Sequence, residues 1–117
     1  MSKYKAKKVE YNGMIFDSKK ELKIYQELEQ RDDITDLKRQ VKYVLVPKQK
    51  TPYETFREVA YVADYVYTDS AGVTHVVDCK GMKFGLPYSM FQIKRKLMYQ
   101  VYGIYVEIVW QENSVKQ

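Results

Sequence analysis

Asp64, Asp78 and Lys80 sit where charge is out of place. They fall inside two β-rich runs, Val62 to Tyr67 and Val73 to Lys80, joined by the polar Thr68-Asp69-Ser70-Ala71-Gly72. Such an arrangement is a hairpin signal. A loop centred on Ala71 sets Asp64 directly across from Asp78, with Cβ atoms roughly 4.5–5.5 Å apart, and like charges facing each other destabilise a strand pair. Alternation puts Lys80 on the same side as Asp78, about 7 Å along the strand. A bound hard cation such as Mg²⁺, held by one or two carboxylates, would explain the pair. The plainer reading is a charge cluster in which Lys80 bridges diagonally to Asp64. A bulge or a shift of the loop centre would also separate the two acids.

Other candidate residues lie outside the hairpin. Glu21 stands three residues after Ser18, so the two form a capping box at a helix start. It also shares a face with Tyr25 and Leu28, which would let it point at a metal site from the inward edge of that helix. Gln40 opens an apolar run and is either a surface residue or one that reaches the site. His75 reads as a plain strand residue facing away from Asp78, and no nucleophile-elbow motif supports a Ser-His-Asp triad. One His and one Cys exclude a zinc site built from those residues alone.

The charge of +5 is unevenly spread. Cys79 to Val106 holds Lys80, Lys83, Lys94, Arg95 and Lys96 and no acid, while Lys3, Lys5, Lys7 and Lys8 crowd the start. A basic region beside paired carboxylates suits a polyanion with a metal, although a solvated basic face has the same composition.

The elements that must position these residues follow from pattern and punctuation. Residues 1–8 read as a flexible basic arm, 9–110 as one domain and 111–117 as a polar tail. Asn12-Gly13 is a type I′ turn signal inside a small hairpin, Val9 to Phe16. A helix runs from Ser18 to about Gln30, with Leu22, Ile24, Tyr25 and Leu28 as its apolar stripe. Ile34 to Leu37 reads as a connector, and Val41 to Val46 as a strand covered on both faces. Lys48 to Glu54 reads as a polar loop, and Phe56 to Tyr67 as the long strand carrying Asp64. A second helix, Tyr88 to Tyr102, is expected to bury Phe91 (or Met90), Ile93, Leu97, Met98 and Val101 and to stop at Gly103. Ile104 to Trp110 is a last strand. The order is helix, three strands, helix, strand, with a hairpin in front; the second helix links strands like a βαβ crossover. No apolar run approaches 18 residues, so no membrane span is expected, and the basic start lacks a secretory h-region. The single Cys79 fits a reducing cytoplasm.

With Asp64, Asp78-Cys79-Lys80 and Glu21 in these positions, the chain resembles the PD-(D/E)xK nuclease superfamily. That family has a restriction-endonuclease-like αβββαβ core, a mixed α/β (α+β) fold with a mixed central sheet flanked by helices. Its acid on the second core strand corresponds to Asp64, its (D/E)-x-K to Asp78-Cys79-Lys80, and its frequent helical Glu to Glu21. Ala63 replaces the Pro of the motif, and Asp78 stands where Glu is commoner. The chain is also similar, over about residues 7 to 110, to a group of small phage-encoded proteins of unassigned function that share the start Lys7 to Glu21.

The resemblance implies a Mg²⁺- or Mn²⁺-dependent DNA endonuclease acting in the host cytoplasm, selective for branched or recombination DNA. Asp64, Asp78 and the Cys79 backbone carbonyl would hold the ion, helped by Glu21, and Lys80 would act on the attacking water or the transition state. Lys83, Tyr88, Lys94, Arg95, Lys96, Lys7 and Lys8 are the candidate DNA contacts, and a homodimer would supply two sites. The competing expectation is a non-catalytic DNA- or protein-binding module on the same fold, including one that redirects a host factor through exposed Tyr.

Overall fold

The computed structural model describes residues 7–81 and 83–110. Lys3 and Lys5 of the expected arm, and the tail from residue 111, lie outside the described residues. The chain opens with a hairpin of β1 (Val9–Tyr11) and β2 (Met14–Phe16), paired Val9 to Phe16. Asn12 and Gly13 take φ of 51° and 81°, the two positive values a type I′ turn requires. This ribbon lies on the body, as its short length demands: Phe16 is fully buried against Tyr25, ring centroids 5.3 Å apart. Arg39 covers the other side of the Phe16 ring at 3.9 Å and donates to the Ile15 carbonyl.

Helix α1 (Lys19–Glu29) starts where expected, with Ser18 Oγ accepting the Glu21 N–H at 3.2 Å. Next come β3 (Ile34–Val46), a ribbon of β4 (Gln49–Lys50) and β5 (Thr55–Phe56), then β6 (Val59–Asp69) and β7 (Thr74–Lys80). Helix α2 (Leu86–Tyr102) and β8 (Val106–Trp110) complete the order. The result is a mixed α/β fold: a four-stranded sheet in the order β3-β6-β7-β8, antiparallel except for β8, which runs parallel to β7 through the α2 crossover.

Several expectations need correcting. Ile34 to Leu37 is not a connector but the start of β3; a left-handed Asp36 (φ 58°) and a register shift between Thr35 and Lys38 let the strand pass an unpaired residue. The apolar run Val41 to Val46 belongs to the edge strand β3, and its cover is partial: Leu45 is buried and Val41, Tyr43 and Val46 pack beside it in the α2-side cluster, while Lys42 is exposed. The expected polar loop from Lys48 contains the β4–β5 ribbon, so β6 proper begins at Val59 rather than Phe56. Helix α2 begins at Leu86, because Gly85 at a positive φ (94°) and Pro87 in the first turn suit a helix start. Of its expected buried face, Phe91 and Met98 are buried and Leu97 packs beside them, but Ile93, Val101 and Met90 are exposed. Periodicity marks which residues share a face, and the short sheet covers only part of that face.

The core has two layers. On the α2 side, Leu45, Tyr61, Ala63, Val66, Val76 and Val106 meet Phe91 and Met98. On the α1 side, Ile34, Tyr65, Tyr67 and Val77 meet Ile24, Tyr25, Leu28 and Cys79. Among the described residues, no helix is long and apolar enough to cross a membrane.

His75 faces away from Asp78, as expected, and ties three strands together. Its Nε2 lies 2.7 Å from Asp69 Oδ2 and its Nδ1 2.6 Å from Glu107 Oε2, with the ring stacked on Tyr67. Both nitrogens can donate only if the imidazole is charged. The bond to Asp69, then the one to Glu107, raises the His75 pKa against the opposing effect of burial. A raised histidine pKa contributes stability that is full below the unfolded value of about 6.5 and fades as pH rises through the folded value. The urea-midpoint gap between wild type and His75→Gln should therefore be larger at about pH 5.5 than at about pH 8.5. An unchanged gap would mean that the clamp carries no charge.

Candidate active site

The site forms where β6 and β7 part. Their ladder runs from Thr68–Thr74 to Tyr65–Val77, the register that a loop centred on Ala71 demands. Continued one step, it puts Asp64 opposite Asp78. The backbone ladder stops before that step, and the Cys79 N–H is taken instead by Asp64 Oδ2 at 2.8 Å. On the other side of β6, the register against β3 puts Gln40 opposite Asp64, and Gln40 is left-handed (φ 54°). The alternation of side chains slips at the same point: Ala63 and Val66 share the α2 layer, while Tyr65 and Tyr67 share the α1 layer. Irregular pleating of this kind re-aims a side chain, here a carboxylate.

A cavity of about 400 Å³ opens at this break, walled by Glu21, Tyr61, Asp64, Asp78, Lys80 and Lys94 among others. Asp78 is only 5% exposed. Its Oδ1 accepts the Tyr61 hydroxyl at 2.8 Å. Its Oδ2 lies 3.1 Å from Lys80 Nζ, close enough for attraction, yet it makes no hydrogen bond. The ammonium is thus beside that oxygen without being aimed at it, and Lys80 Nζ also rests 4.0 Å from the Phe91 ring centroid. Tyr65 donates to the Glu21 carbonyl at 2.7 Å and pins the first turn of α1 to β6. Ser18 holds the same residue's N–H. Among the described residues no bond runs from the Ser18 N–H back to the Glu21 carboxyl; the Asp17 backbone instead pulls that carboxyl's pKa down against burial. Glu21 serves the helix start through its backbone and is also one wall of the cavity.

The charges crowd one another. Burial, then Asp78, pushes the Asp64 carboxyl up to about 6, against the pull of the Cys79 N–H. Burial foremost, with Asp17 and more weakly Asp78, raises Glu21. Burial and Asp78 drive the Tyr61 phenol far up, so it stays a donor. Burial also raises the Cys79 thiol, which packs in the α1 layer and is no nucleophile. Three carboxyls share the cavity with Lys80 and Lys94, and a buried oxygen of Asp78 wants a partner; a hard cation fits that donor set. Among the described residues no three His, Cys, Asp or Glu side chains gather tightly enough to hold an ion alone. An ion at Asp64 and Asp78 would take further ligands from backbone oxygen, such as the Cys79 carbonyl, and from water, as Mg²⁺ commonly does.

The remaining candidates scatter. Lys94 reaches the cavity, but Arg95 donates to the Val106 carbonyl at 2.9 Å and lies over Tyr105, lining a separate hollow with Lys96. Neighbours in a helix point about 100° apart, so a run of three basic residues cannot serve one site. Tyr88 accepts from Gln92 and packs with Phe91 and Trp110, and Lys83 stands 5.7 Å from the Trp110 ring. Lys7 is exposed and Lys8 pairs with Asp17. Gln40 is exposed and is not a wall of the cavity. Tyr61 and Tyr65 escaped the sequence reading. The usable signal is that a buried Tyr needs a partner for its hydroxyl, and both share a strand with Asp64.

A carboxyl whose pKa is raised by folding destabilises the fold once pH exceeds its unfolded value of about 3.9. Asp64→Asn keeps an acceptor for the Cys79 N–H and removes the charge. It should stabilise the protein by roughly 1–3 kcal/mol at neutral pH, taking about 1.4 kcal/mol per unit of pKa, and by little below about pH 4. Thermal melting at both pH values measures this, and equal or lower stability of the variant at neutral pH would refute it.

No curated protein and no solved structure matches the chain. Residues 1–117 match the sequence model of one family over their whole length. The chain belongs to the protein family of unknown function DUF1064.

Proposed function

We propose that the protein is a metal-dependent DNA endonuclease of the PD-(D/E)xK type, with a restriction-endonuclease-like core and a preference for branched or otherwise interrupted DNA. The observation that carries this reading is Asp78 Oδ2. It is a buried carboxylate oxygen without a donor, across the strand break from Asp64 and 3.1 Å from Lys80 Nζ. Structural ion pairs are normally satisfied on all sides, whereas a poised site keeps an unfilled valence.

In this reading Asp64 and Asp78 would hold Mg²⁺ or Mn²⁺ with the Cys79 carbonyl, and Glu21 would complete the set directly or through water. An ion held there would supply Lewis-acid polarisation of the scissile phosphate and would lower the pKa of a neighbouring water. Tyr61 fixes the rotamer of Asp78 by donating to Oδ1, which reserves Oδ2 for the ion. Lys80 orients the attacking water or stabilises the charge that develops on phosphorus oxygens. Lys94, at the α2 wall of the cavity, is placed to meet a flanking phosphate. A homodimer would bring two such sites to two strands.

Branched, nicked, single-stranded and plain duplex DNA incubated with Mg²⁺, Mn²⁺ or EDTA provides the test. Wild type should cut in either ion and not in EDTA. Asp64→Ala and Lys80→Ala should each lose on the order of 100-fold or more in rate, as expected when a group stabilising the transition state is removed. Mg²⁺ should raise the melting temperature of wild type but not of Asp78→Asn. Folded protein that cuts no substrate in either ion would refute the nuclease and leave a binding module.

A further inference from the structure

The β4–β5 ribbon belongs to neither core layer. Every residue from 47 to 59 is exposed except Thr51. The ribbon forms its own two-stranded sheet, apart from the central one. Two short strands alone are marginal in water, so a projecting ribbon needs a reason to persist. Its tip is nevertheless built. Thr51 Oγ1 accepts the N–H groups of Tyr53 and Glu54 and donates to the Glu54 carbonyl, while the Thr51 N–H bonds the same carbonyl. Pro52 further stiffens the turn. This knotted turn displays Tyr53, which is 93% exposed, and Phe56 stands half-exposed behind it. An aromatic ring displayed in water on a hydrogen-bonded turn contributes little to the fold itself.

Charge and position identify what would meet it. Lys48, Lys50 and Arg57 flank the ribbon and make no ion pair among the described residues; Glu54 is the one acid between them. Glu58, just beyond, is neutralised by Lys42. The ribbon leads straight into Ala60, Tyr61 and Val62, which wall the candidate cavity. Tyr53 to Ala60 spans at most roughly 25 Å of chain, less than the ~34 Å of one duplex turn. A polyanion crossing the cavity would therefore be within reach of the tip.

We propose that the β4–β5 ribbon is an arm that binds DNA, its basic residues on phosphates and Tyr53 stacked on a base exposed where the helical stack is interrupted. Continuous duplex offers a Tyr ring no free base face, whereas a nick, flap or junction does. Stacking on an aromatic ring is indifferent to base identity. The arm thus selects DNA by structure and not by sequence. The inference rests on the proposed function only in taking DNA as the ligand.

Binding in EDTA, where no cutting occurs, isolates the arm. Fluorescence anisotropy would compare continuous duplex, nicked duplex and four-way branched DNA of equal length. Tyr53→Ala should weaken binding to nicked and branched DNA roughly five- to hundredfold, from the known cost of losing one aromatic stack. It should leave continuous duplex unchanged, and Tyr53→Phe and Tyr53→Trp should bind like wild type. The double variant Lys50→Ala/Arg57→Ala should weaken all three alike and reduce the salt slope by about two. Wild-type affinity of Tyr53→Ala for nicked and branched DNA would overturn the proposal. So would a wild type that binds no DNA, or a Tyr53→Ala whose defect is loss of a dimer in sedimentation. Tyr53-dependent binding without cutting would sink the nuclease and leave the arm; metal-dependent cutting indifferent to Tyr53 would sink the arm alone.

Discussion

The bond from the Cys79 N–H to the Asp64 carboxylate governs the architecture around it. A ladder would give that N–H a backbone carbonyl on the neighbouring strand. Here a side chain takes it at 2.8 Å, and the two strands separate from that point on. The separation admits a cavity into the middle of the sheet. It also brings a second acid, Asp78, into a nearly dry position. Every neighbour then reads as a response to that charge: the Tyr61 hydroxyl on one oxygen, the Lys80 ammonium beside the other.

The site draws on both layers of the fold. Asp78 and Lys80 project from β7 into the α2 layer, beneath Phe91. Glu21 arrives from α1, held through its own backbone by Ser18 and Tyr65. Cys79 points to the α1 layer and packs with the residues that α1 buries. Neither helix alone could complete the cavity, so damage to either core layer would be felt there.

Much of this was legible in the residues, where local chemistry has one solution. Asn12-Gly13 dictated its turn, Ser18 its helix start, Gly103 its helix stop, and the polar loop around Ala71 the register of β6 on β7 as far as Tyr65 and Val77. Strand alternation correctly placed Asp78 and Lys80 together and Cys79 opposite. What escaped depends on tertiary context. Asp36 and Gln40 adopt left-handed backbone that pattern alone does not reveal, so the first half of β3 was hidden. The slip in alternation between Ala63 and Val66 concealed which of twelve Tyr would meet Asp78. The exposure of Ile93 and Val101 followed from how little of α2 the sheet can cover.

The left-handed Gln40 has a consequence beyond the cavity. At thirteen residues, β3 is a long strand with one bare flank, the kind of rim that recruits a stray strand and seeds aggregates. A second chain docking there would need an unbroken row of backbone partners. Asp36 and Gln40 interrupt that row twice, and the exposed ion pairs Lys38–Asp36 and Lys42–Glu58 set charged, solvated side chains along the strand. The residue that lies opposite Asp64 across the sheet therefore also breaks the rim's row of backbone partners, so one backbone irregularity bears on both the cavity strand and the open rim.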